Sequence, residues 1–246
     1  MKTVIITGGN KGIGLDITSA FLKANYKVIV GARSDLKMHK KNKNLFFKKV
    51  DLTEEKNHIL LAEEAIKNTG RLDVYINNAG LSGWKPIKYI DEMFIDKLMD
   101  INLKAVIWGC KTASKYIVNG GSIINISSIA GKRGSTNNSI YCATKFGVNG
   151  ITQSLAKELG KEKIRVNAIC PVLVKTDGLI NALDDQYSPA NGNVDGFLEK
   201  FCFENSALGY LPSGKNVGEA AVFLASKNSS SITGQCINLD CGVFPQ

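Results

Sequence analysis

The stretch "TGGNKGIG" (residues 7–14) decides the fold. It follows the apolar run "KTVII" (2–6), which is typical of a buried strand, and it leads into the helical pattern "LDITSAFLKA" (15–24). Its glycines suit a tight turn, a close approach of the backbone to a ligand and close helix packing; they are Gly8, Gly12 and Gly14. Because free N–H groups at a helix start favour a pyrophosphate, this stretch predicts a dinucleotide site.

Short β-branched runs alternate with longer helical patterns along the rest of the chain. The pattern predicts further strands at 26–30, 45–51, 72–77, 122–127, 164–170 and 236–240, and further helices at 54–68, 93–118, 139–160 and 218–226. Such alternation favours a parallel sheet covered on both faces, wound by right-handed crossovers. No linker or repeat divides the sequence, so we predict one α/β domain over residues 1–246, a Rossmann-type doubly wound sheet of about seven strands.

The span 177–215 interrupts this alternation. It is rich in Asp, Asn and Gly, contains Pro189 and Pro212, and is long for an ordinary connection. Several apolar side chains in it need to be buried: Phe197, Leu198, Phe201, Phe203 and Leu208. We therefore expect a lid over a site, with its own short helix, rather than a disordered insertion.

Composition limits the classes of partner. The chain has 31 Lys and Arg against 22 Asp and Glu, a formal net charge of +9, which invites a nucleic-acid hypothesis. The densest basic segment, 36–49, lacks interleaved aromatic residues except Phe46 and Phe47, which suit a strand core. We therefore expect no nucleic-acid partner and interpret the segment as a solvated loop and strand edge. No apolar run approaches the ~20 residues of a membrane-spanning helix, so we expect no membrane segment.

Cysteine usage and the first residues bear on location. The six cysteines are scattered without a C-x-x-C pair, which argues against a disulfide framework and against a zinc site. The sequence passes from Met1 directly into the first strand pattern, which leaves no room for a signal peptide. These features predict a cytoplasmic protein without a bound metal.

The end of the second predicted strand bears on the choice of dinucleotide. An NAD site usually has a carboxylate there to bind the ribose hydroxyls. Here Ala32 and Arg33 occupy this place, and Lys11 lies within the glycine-rich loop. Two cations suit a 2′-phosphate through charge-assisted hydrogen bonds, whereas the acidic Asp35 falls in the following loop. We therefore predict that NADP is preferred and that NAD is the alternative.

Several motifs together resemble the short-chain dehydrogenase/reductase family over essentially the whole chain. In chain order they are "TGGNKGIG", "NNAG" (77–80), Asn102, Ser128, "YCATK" (141–145) and "CPVLVKT" (170–176). The family pattern implies a nicotinamide-dependent oxidoreductase that interconverts a ketone and a secondary alcohol.

The resemblance implies four catalytic residues. Tyr141 would exchange a proton with the substrate oxygen, and Ser128 would donate a hydrogen bond to the carbonyl. The i, i+4 spacing places Lys145 on the same helix face as Tyr141, where its charge is expected to lower a phenol pKa of about 10. Asn102 would complete a proton relay through Lys145 and water. Ser127 is the neighbouring candidate for Ser128, but strand alternation points it the other way.

The resemblance also implies a set of cofactor contacts. Asp51 would contact the adenine amino group, Asn78 the adenosine ribose through its backbone, and Thr176 the nicotinamide half, while Asn77 would brace the sheet. Lys145 would in addition bind the nicotinamide ribose. The full set of expected cofactor-binding residues is Gly8, Asn10, Lys11, Gly12, Ile13, Gly14, Arg33, Asp51, Leu52, Asn78, Ala79, Gly80, Tyr141, Lys145, Pro171, Val174 and Thr176.

Two positions depart from the family pattern. Val172 stands where glycine usually follows "ICP", and Cys241 stands where the family usually has "DGG". Val172 is close to the expected nicotinamide pocket, so we expect it to narrow that pocket or to shift the lid without abolishing the chemistry.

The resemblance extends to 3-oxoacyl-[acyl-carrier-protein] reductases and to sugar, polyol and diol dehydrogenases. The long lid favours the second group, in which the partner is a small carbonyl or alcohol, while acyl carrier protein is the partner in the first. Family members commonly assemble as homotetramers, here through the helices at 93–118 and 139–160. The alternative function is a catalytically silent NADP-binding regulatory protein.

Overall fold

The computed structural model describes residues 1–36 and 42–245. Within these residues, seven parallel strands form one sheet in the order β3-β2-β1-β4-β5-β6-β7, which confirms the predicted doubly wound α/β fold. The strands are β1 (Thr3–Thr7), β2 (Lys27–Ala32), β3 (Leu45–Lys49), β4 (Val74–Asn77), β5 (Ser122–Ile126), β6 (Arg165–Pro171) and β7 (Cys236–Leu239).

Helices connect the strands and cover both faces of the sheet. In chain order the α-helices are α1 (Gly12–Lys23), α2 (Glu55–Thr69), α3 (Glu92–Met99), α4 (Ala105–Tyr116), α5 (Ser139–Glu158), α6 (Asp177–Leu183), α7 (Val194–Asn205) and α8 (Gly214–Ala225). A π-helical turn, Asp100–Lys104, joins α3 to α4. Several starts are capped by side chains: Asp91 accepts from the Phe94 N–H before α3, and Ser213 forms a capping box with Asn216 before α8.

Alternate side chains of the central strands enter two separate cores. Ile5 and Ile29 pack on the side that holds α2, α4 and α5. Their neighbours Val4 and Val28 pack on the opposite side, against α1 and α8. Because both faces of the strands are buried, the strands contain nearly continuous apolar runs, as expected for a parallel sheet.

The direction in which successive strands are added to the sheet reverses between β1 and β4. Chain order runs outward from β1 to β3 on one side and from β4 to β7 on the other. In sheets of this type, ligands bind outside the carboxyl ends of the strands at this switch point. The loops that follow β1, β4 and β5 are therefore the first places to look for a site.

Several element boundaries differ from the expected ones. The first helix begins at Gly12 rather than at residue 15, because the glycine-rich loop already contains its first turn. The helix predicted over 93–118 is divided by the π-helical turn. The basic segment 36–49 is described only in part, and its residues 37–41 lie outside the described residues.

The lid contains two helices, α6 and α7, where one short helix was expected. A small core made of Trp84, Leu183, Ala190 and Leu198 joins it to the loop after β4. The expectation that all its large apolar side chains are buried is wrong, since Phe203 is 90% exposed and Leu208 is also exposed. Phe197 and Phe201 are half-buried.

Neither a membrane-spanning helix nor a metal cluster occurs in the described ranges 1–36 and 42–245. None of the helices there is long and apolar enough to cross a membrane. In the same ranges, no three side chains of the His, Cys, Asp and Glu types are placed to hold a metal ion.

Candidate active site

The glycine-rich loop turns tightly between β1 and α1. Gly8 has φ +64°, a conformation that favours glycine. A Cβ on Gly14 would lie 2.1 Å from the Gly8 carbonyl oxygen, so no other residue fits there without a shift of the backbone. Lys11 at the N-cap of α1 is exposed and provides no side-chain cap. The loop and the uncapped N–H groups of α1 fit a diphosphate.

Asn10 ties the glycine-rich loop to the end of β2. Its buried Nδ2 donates to the Ser34 carbonyl oxygen and to Ser34 Oγ, both at 2.9 Å, and to the Asp35 carbonyl oxygen at 3.2 Å. The exposed side chains of Lys11 and Arg33 therefore stand on two loops that are held together.

Asp51 and Leu52 are fixed in the turn after β3. Thr53 donates to Asp51 Oδ1 from its N–H at 3.0 Å and from its hydroxyl at 2.9 Å. The backbone bond from Thr53 is the main cause that lowers the pKa of Asp51, and the positive charge of Arg33 lowers it further. Arg33 thus lies close enough to Asp51 to influence it.

A buried histidine holds the Leu52 carbonyl oxygen. His58 Nε2 lies 2.9 Å from that oxygen, and Nδ1 lies 2.8 Å from the Tyr75 hydroxyl. Because a carbonyl oxygen can only accept, Nε2 carries the proton and Nδ1 accepts from Tyr75. Burial lowers the pKa of His58, which favours this neutral form.

The "NNAG" motif after β4 joins the glycine-rich loop. The Asn78 and Ala79 N–H groups donate to Thr7 Oγ1 at 2.9 and 3.1 Å. A Cβ on Gly8 would lie 3.1 Å from Ala79 Cα, so the two loops touch. Asn77 Nδ2 donates to Asn125 Oδ1 at 2.9 Å, which gives Asn77 the bracing contact expected from the sequence.

The segment after β6 faces the same loop. A Cβ on Gly12 would lie 3.5 Å from Thr176, whose hydroxyl also accepts from the Leu179 N–H at the start of α6. Val174 is buried in the core, and Pro171 ends β6. Most expected cofactor-binding residues therefore lie around the carboxyl ends of the strands near the switch point.

Tyr141 and Lys145 lie on one face of α5, as their spacing predicts. Lys145 Nζ lies 5.7 Å from the centroid of the Tyr141 ring and donates to the Ile126 carbonyl oxygen at 2.9 Å. The Ser128 hydroxyl lies near enough to the Tyr141 phenol to lower the pKa of that phenol, whereas Ser127 Oγ donates to the Lys145 carbonyl oxygen at 3.3 Å. Strand alternation therefore distinguishes the two serines correctly.

The expected lowering of the Tyr141 pKa is not found in the structure. Burial is the largest cause and raises the pKa of Tyr141, while hydrogen bonds from Ser128 and Ser82 only partly oppose it. Burial also lowers the pKa of Lys145 to about 8. Because both groups are withdrawn from water, desolvation disfavours the charged form of each.

Asn102 lies on the π-helical turn between α3 and α4 and is fully buried. Its Oδ1 accepts from the Leu81 N–H and its Nδ2 donates to the Leu81 carbonyl oxygen, both at 2.8 Å. A Cβ on Gly80 would lie 2.9 Å from Asn102 Oδ1 and 3.8 Å from Lys145 Nζ, so the side chains of Asn102 and Lys145 both lie beside Gly80. Its side chain thus fixes the loop after β4, and the proton relay stays a prediction.

Sequence reasoning missed Ser82. Its hydroxyl is the second group that lowers the pKa of the Tyr141 phenol. Its place two residues after the "NNAG" motif is the one signal that could have identified it, since every residue of that loop follows the carboxyl end of β4.

The two departures from the family pattern have different surroundings. Val172 is 2% exposed and packs with Ile129 and Val243 beside Phe201 of the lid. Val172 therefore forms part of the apolar surface against which the lid packs. Cys241 has φ +55°, in the left-handed region that favours glycine.

Comparisons with known proteins agree with this geometry. The family model "short chain dehydrogenase" matches residues 2–186. The L-2,3-butanediol dehydrogenase of Corynebacterium glutamicum is 32% identical, covering 99% of this chain and 98% of that protein. The 3-oxoacyl-[acyl-carrier-protein] reductase of Chlamydia muridarum is 30% identical, covering 98% and 97%.

A solved structure gives the same result. The ligand-free aldohexose dehydrogenase of Thermoplasma acidophilum superposes with a TM-score of 0.89 at 27% identity, covering 98% of this chain and 93% of that one. The shared fold and the matched sequence together establish the family. The chain belongs to the short-chain dehydrogenase/reductase family of oxidoreductases.

Proposed function

We propose that the protein is an NADP(H)-dependent oxidoreductase that interconverts a ketone and a secondary alcohol, with reduction as the direction in the cell. The observation that carries the proposal is the cluster of half-buried Tyr141 and Ser128 with buried Lys145 beside the switch point of the sheet. A phenol with a hydroxyl partner and a nearby ammonium group is suited to exchange a proton with a carbonyl oxygen.

Each residue has a definite task in this proposal. Ser128 donates a hydrogen bond to the substrate carbonyl and orients it, and Tyr141 gives that oxygen its proton. The bound nicotinamide supplies the hydride. Burial raises the pKa of Tyr141 and so keeps the phenol protonated near neutral pH, which suits the reductive direction. Lys145 stabilises the phenolate left behind and binds the nicotinamide ribose.

The preference for NADP rests on Lys11 and Arg33. Both are exposed on loops that Asn10 holds together at the adenosine end of the site. A 2′-phosphate would gain charge-assisted hydrogen bonds from them. Asp51 and Leu52 would bind adenine, the "NNAG" loop the adenosine ribose, and Thr176 the nicotinamide half.

The substrate and assembly proposed here follow the relatives. A dehydrogenase of a vicinal diol and a reductase of a 3-oxoacyl group are both similar to this chain, and the two-helix lid favours a small diol, polyol or sugar over an acyl group on its carrier protein. We further propose a cytoplasmic homotetramer that uses α4 and α5 as one interface.

The test is NADPH oxidation with a panel of ketones, run in parallel with NADH. The proposal expects turnover with NADPH and its loss in Tyr141→Phe, while fluorescence shows that this variant still binds NADPH. Exposed Tyr210, mutated to Phe, serves as the matched control. Binding of NADPH without turnover on any ketone would overturn the enzymatic proposal in favour of a regulatory protein. A strong preference for NADH would overturn the NADP assignment.

A further inference from the structure

We propose that Asn149 is a positioning residue for the reaction: its side chain fastens the turn that begins at Ser128 onto α5 and so sets where the Ser128 hydroxyl lies relative to Tyr141. This inference rests on the proposed function, in which Ser128 and Tyr141 act on the substrate oxygen. It adds a residue that none of the sequence motifs includes and that acts through Ser128 rather than on the substrate itself.

Ser128 stands at the start of a short 3-10 turn. The turn spans Ile129–Gly131, and Ser128 Oγ accepts from the Ala130 N–H at 3.1 Å. The Ser128 carbonyl oxygen accepts from the Gly131 N–H at 2.9 Å. Because a hydroxyl oxygen that accepts a hydrogen bond still has its own proton, Ser128 can donate to a substrate oxygen outside the turn. The direction of that donation depends on where the whole turn is held.

Asn149 binds the far end of this turn. Its buried Nδ2 donates to the Gly131 carbonyl oxygen at 2.8 Å. The Cys170 thiol donates to Oδ1 of the same amide, with sulfur and oxygen 3.9 Å apart, so the amide is held with Nδ2 directed at Gly131. Removal of the amide would leave the Gly131 carbonyl oxygen without this donor, and a buried acceptor without a donor is costly. The turn would therefore shift to find another partner.

Gly131 allows the turn to lie directly on the helix. A Cβ there would lie 2.6 Å from the Lys145 carbonyl oxygen and 2.9 Å from Asn149 Nδ2, so no side chain fits without a shift of the turn. Asn149 lies one helical turn beyond Lys145 on α5, and the i, i+4 spacing places both on one face of the helix. Asn149 thus holds the turn against the helix face that also carries Lys145.

The end of β5 before Ser128 is bound to α5 as well. Ser127 Oγ donates to the Lys145 carbonyl oxygen at 3.3 Å, and Lys145 Nζ donates to the Ile126 carbonyl oxygen at 2.9 Å. α5 therefore holds the chain on both sides of Ser128. Since the same helix carries Tyr141, these bonds set the distance between the Ser128 hydroxyl and the phenol. An error of about 1 Å in such a distance can cost about a hundredfold in rate.

The experiment measures kcat and KM for ketone reduction, and NADPH affinity by fluorescence. Asn149→Ala should lower kcat about tenfold, because one of several attachments of the turn is lost, while NADPH affinity stays unchanged. Asn167→Ala is the matched control, since Asn167 is also buried and donates to the Ile232 carbonyl oxygen at 2.9 Å, in a different loop. It should lower Tm as Asn149→Ala does but leave kcat unchanged.

A double-variant cycle separates positioning of Ser128 from general damage to the fold. If Asn149 acts through Ser128, Asn149→Ala should lower kcat little further once Ser128 is already alanine. Ser127→Ala, which removes the attachment at 3.3 Å, is the second variant in case Asn149→Ala does not fold, and its loss of kcat should likewise disappear in the Ser128→Ala background.

Several outcomes would overturn the inference while the oxidoreductase remains. They are an unchanged kcat in Asn149→Ala, an equal loss of kcat in Asn167→Ala, a loss confined to NADPH affinity, and additive losses when either attachment variant is combined with Ser128→Ala. Full activity of Ser128→Ala, or no NADPH oxidation by the wild type with any ketone, would instead contradict the proposed function itself.

Discussion

Asn102→Ala gives the sharpest test of how the site is held. Asn102 is fully buried, and its amide bonds to both the N–H and the carbonyl oxygen of Leu81 at 2.8 Å. Alanine lacks both the oxygen that accepts from the Leu81 N–H and the nitrogen that donates to the Leu81 carbonyl oxygen. The Leu81 groups then lose their hydrogen bonds in a half-buried loop, where water can replace them only in part.

The magnitude follows from those two groups. A buried polar group left without a partner costs about 1–3 kcal/mol, and partial access of water favours the lower half of that range. We therefore expect the free energy of unfolding to fall by about 2–4 kcal/mol. For a chain of this size, each kcal/mol corresponds to about 2–4 °C, so Tm should fall by about 5–15 °C.

The assay is thermal unfolding followed by circular dichroism, with Asn119→Ala as the matched control because Asn119 is exposed. A Tm for Asn102→Ala within about 2 °C of the control would refute a stabilising role for the two hydrogen bonds between Asn102 and Leu81.

Three further predictions concern pH and backbone strain. Cys241→Gly should raise the free energy of unfolding by about 0.5–1 kcal/mol in urea denaturation. Glycine relieves the strain of the left-handed backbone at φ +55°, and this gain exceeds the loss from the added entropy of the unfolded chain. An unchanged denaturation midpoint would contradict this prediction. kcat/KM for ketone reduction should fall as pH rises above about 8, where Lys145 loses its proton, and a flat profile to pH 10 would argue against a required ammonium group. Burial lowers the pKa of His58 in the folded protein. The stability that neutral His58 contributes is therefore fully present above the pKa of about 6.5 in the unfolded chain and decreases as pH falls. His58→Gln should consequently be less sensitive to acid than wild type when unfolding is measured from about pH 7 to about pH 5.

Local sequence signals were sufficient for the fold and for where most of the candidate site residues lie in it, while the roles of those residues stay predictions. The glycine-rich loop, the strand runs and the i, i+4 pair of Tyr141 and Lys145 each depend on residues a few positions apart, where backbone geometry dictates the outcome. Alternation along β5 even distinguishes Ser128 from Ser127.

The contacts that sequence reasoning missed are long-range. Leu81 and Asn102 are 21 residues apart, and the π-helical turn that presents Asn102 has the same apolar periodicity as the α-helices beside it. Ser82 follows β4 whereas Tyr141 lies on α5, so no local pattern links the two. The exposed Phe203 shows the converse, since composition alone gives no reason for a large apolar side chain in solvent.

The pKa values of Tyr141 and Lys145 show why the spacing of the two residues alone could not predict their protonation states. Spacing fixes the distance between phenol and ammonium, but the pKa of each depends on how much water the fold removes. Here burial raises the pKa of Tyr141 and lowers that of Lys145 to about 8, so near neutral pH the phenol is protonated while the amine still carries its charge. The phenol therefore begins as an acid. Charge separation between the two becomes favourable only as the proton leaves for the substrate, which stabilises the transition state more than the resting protein.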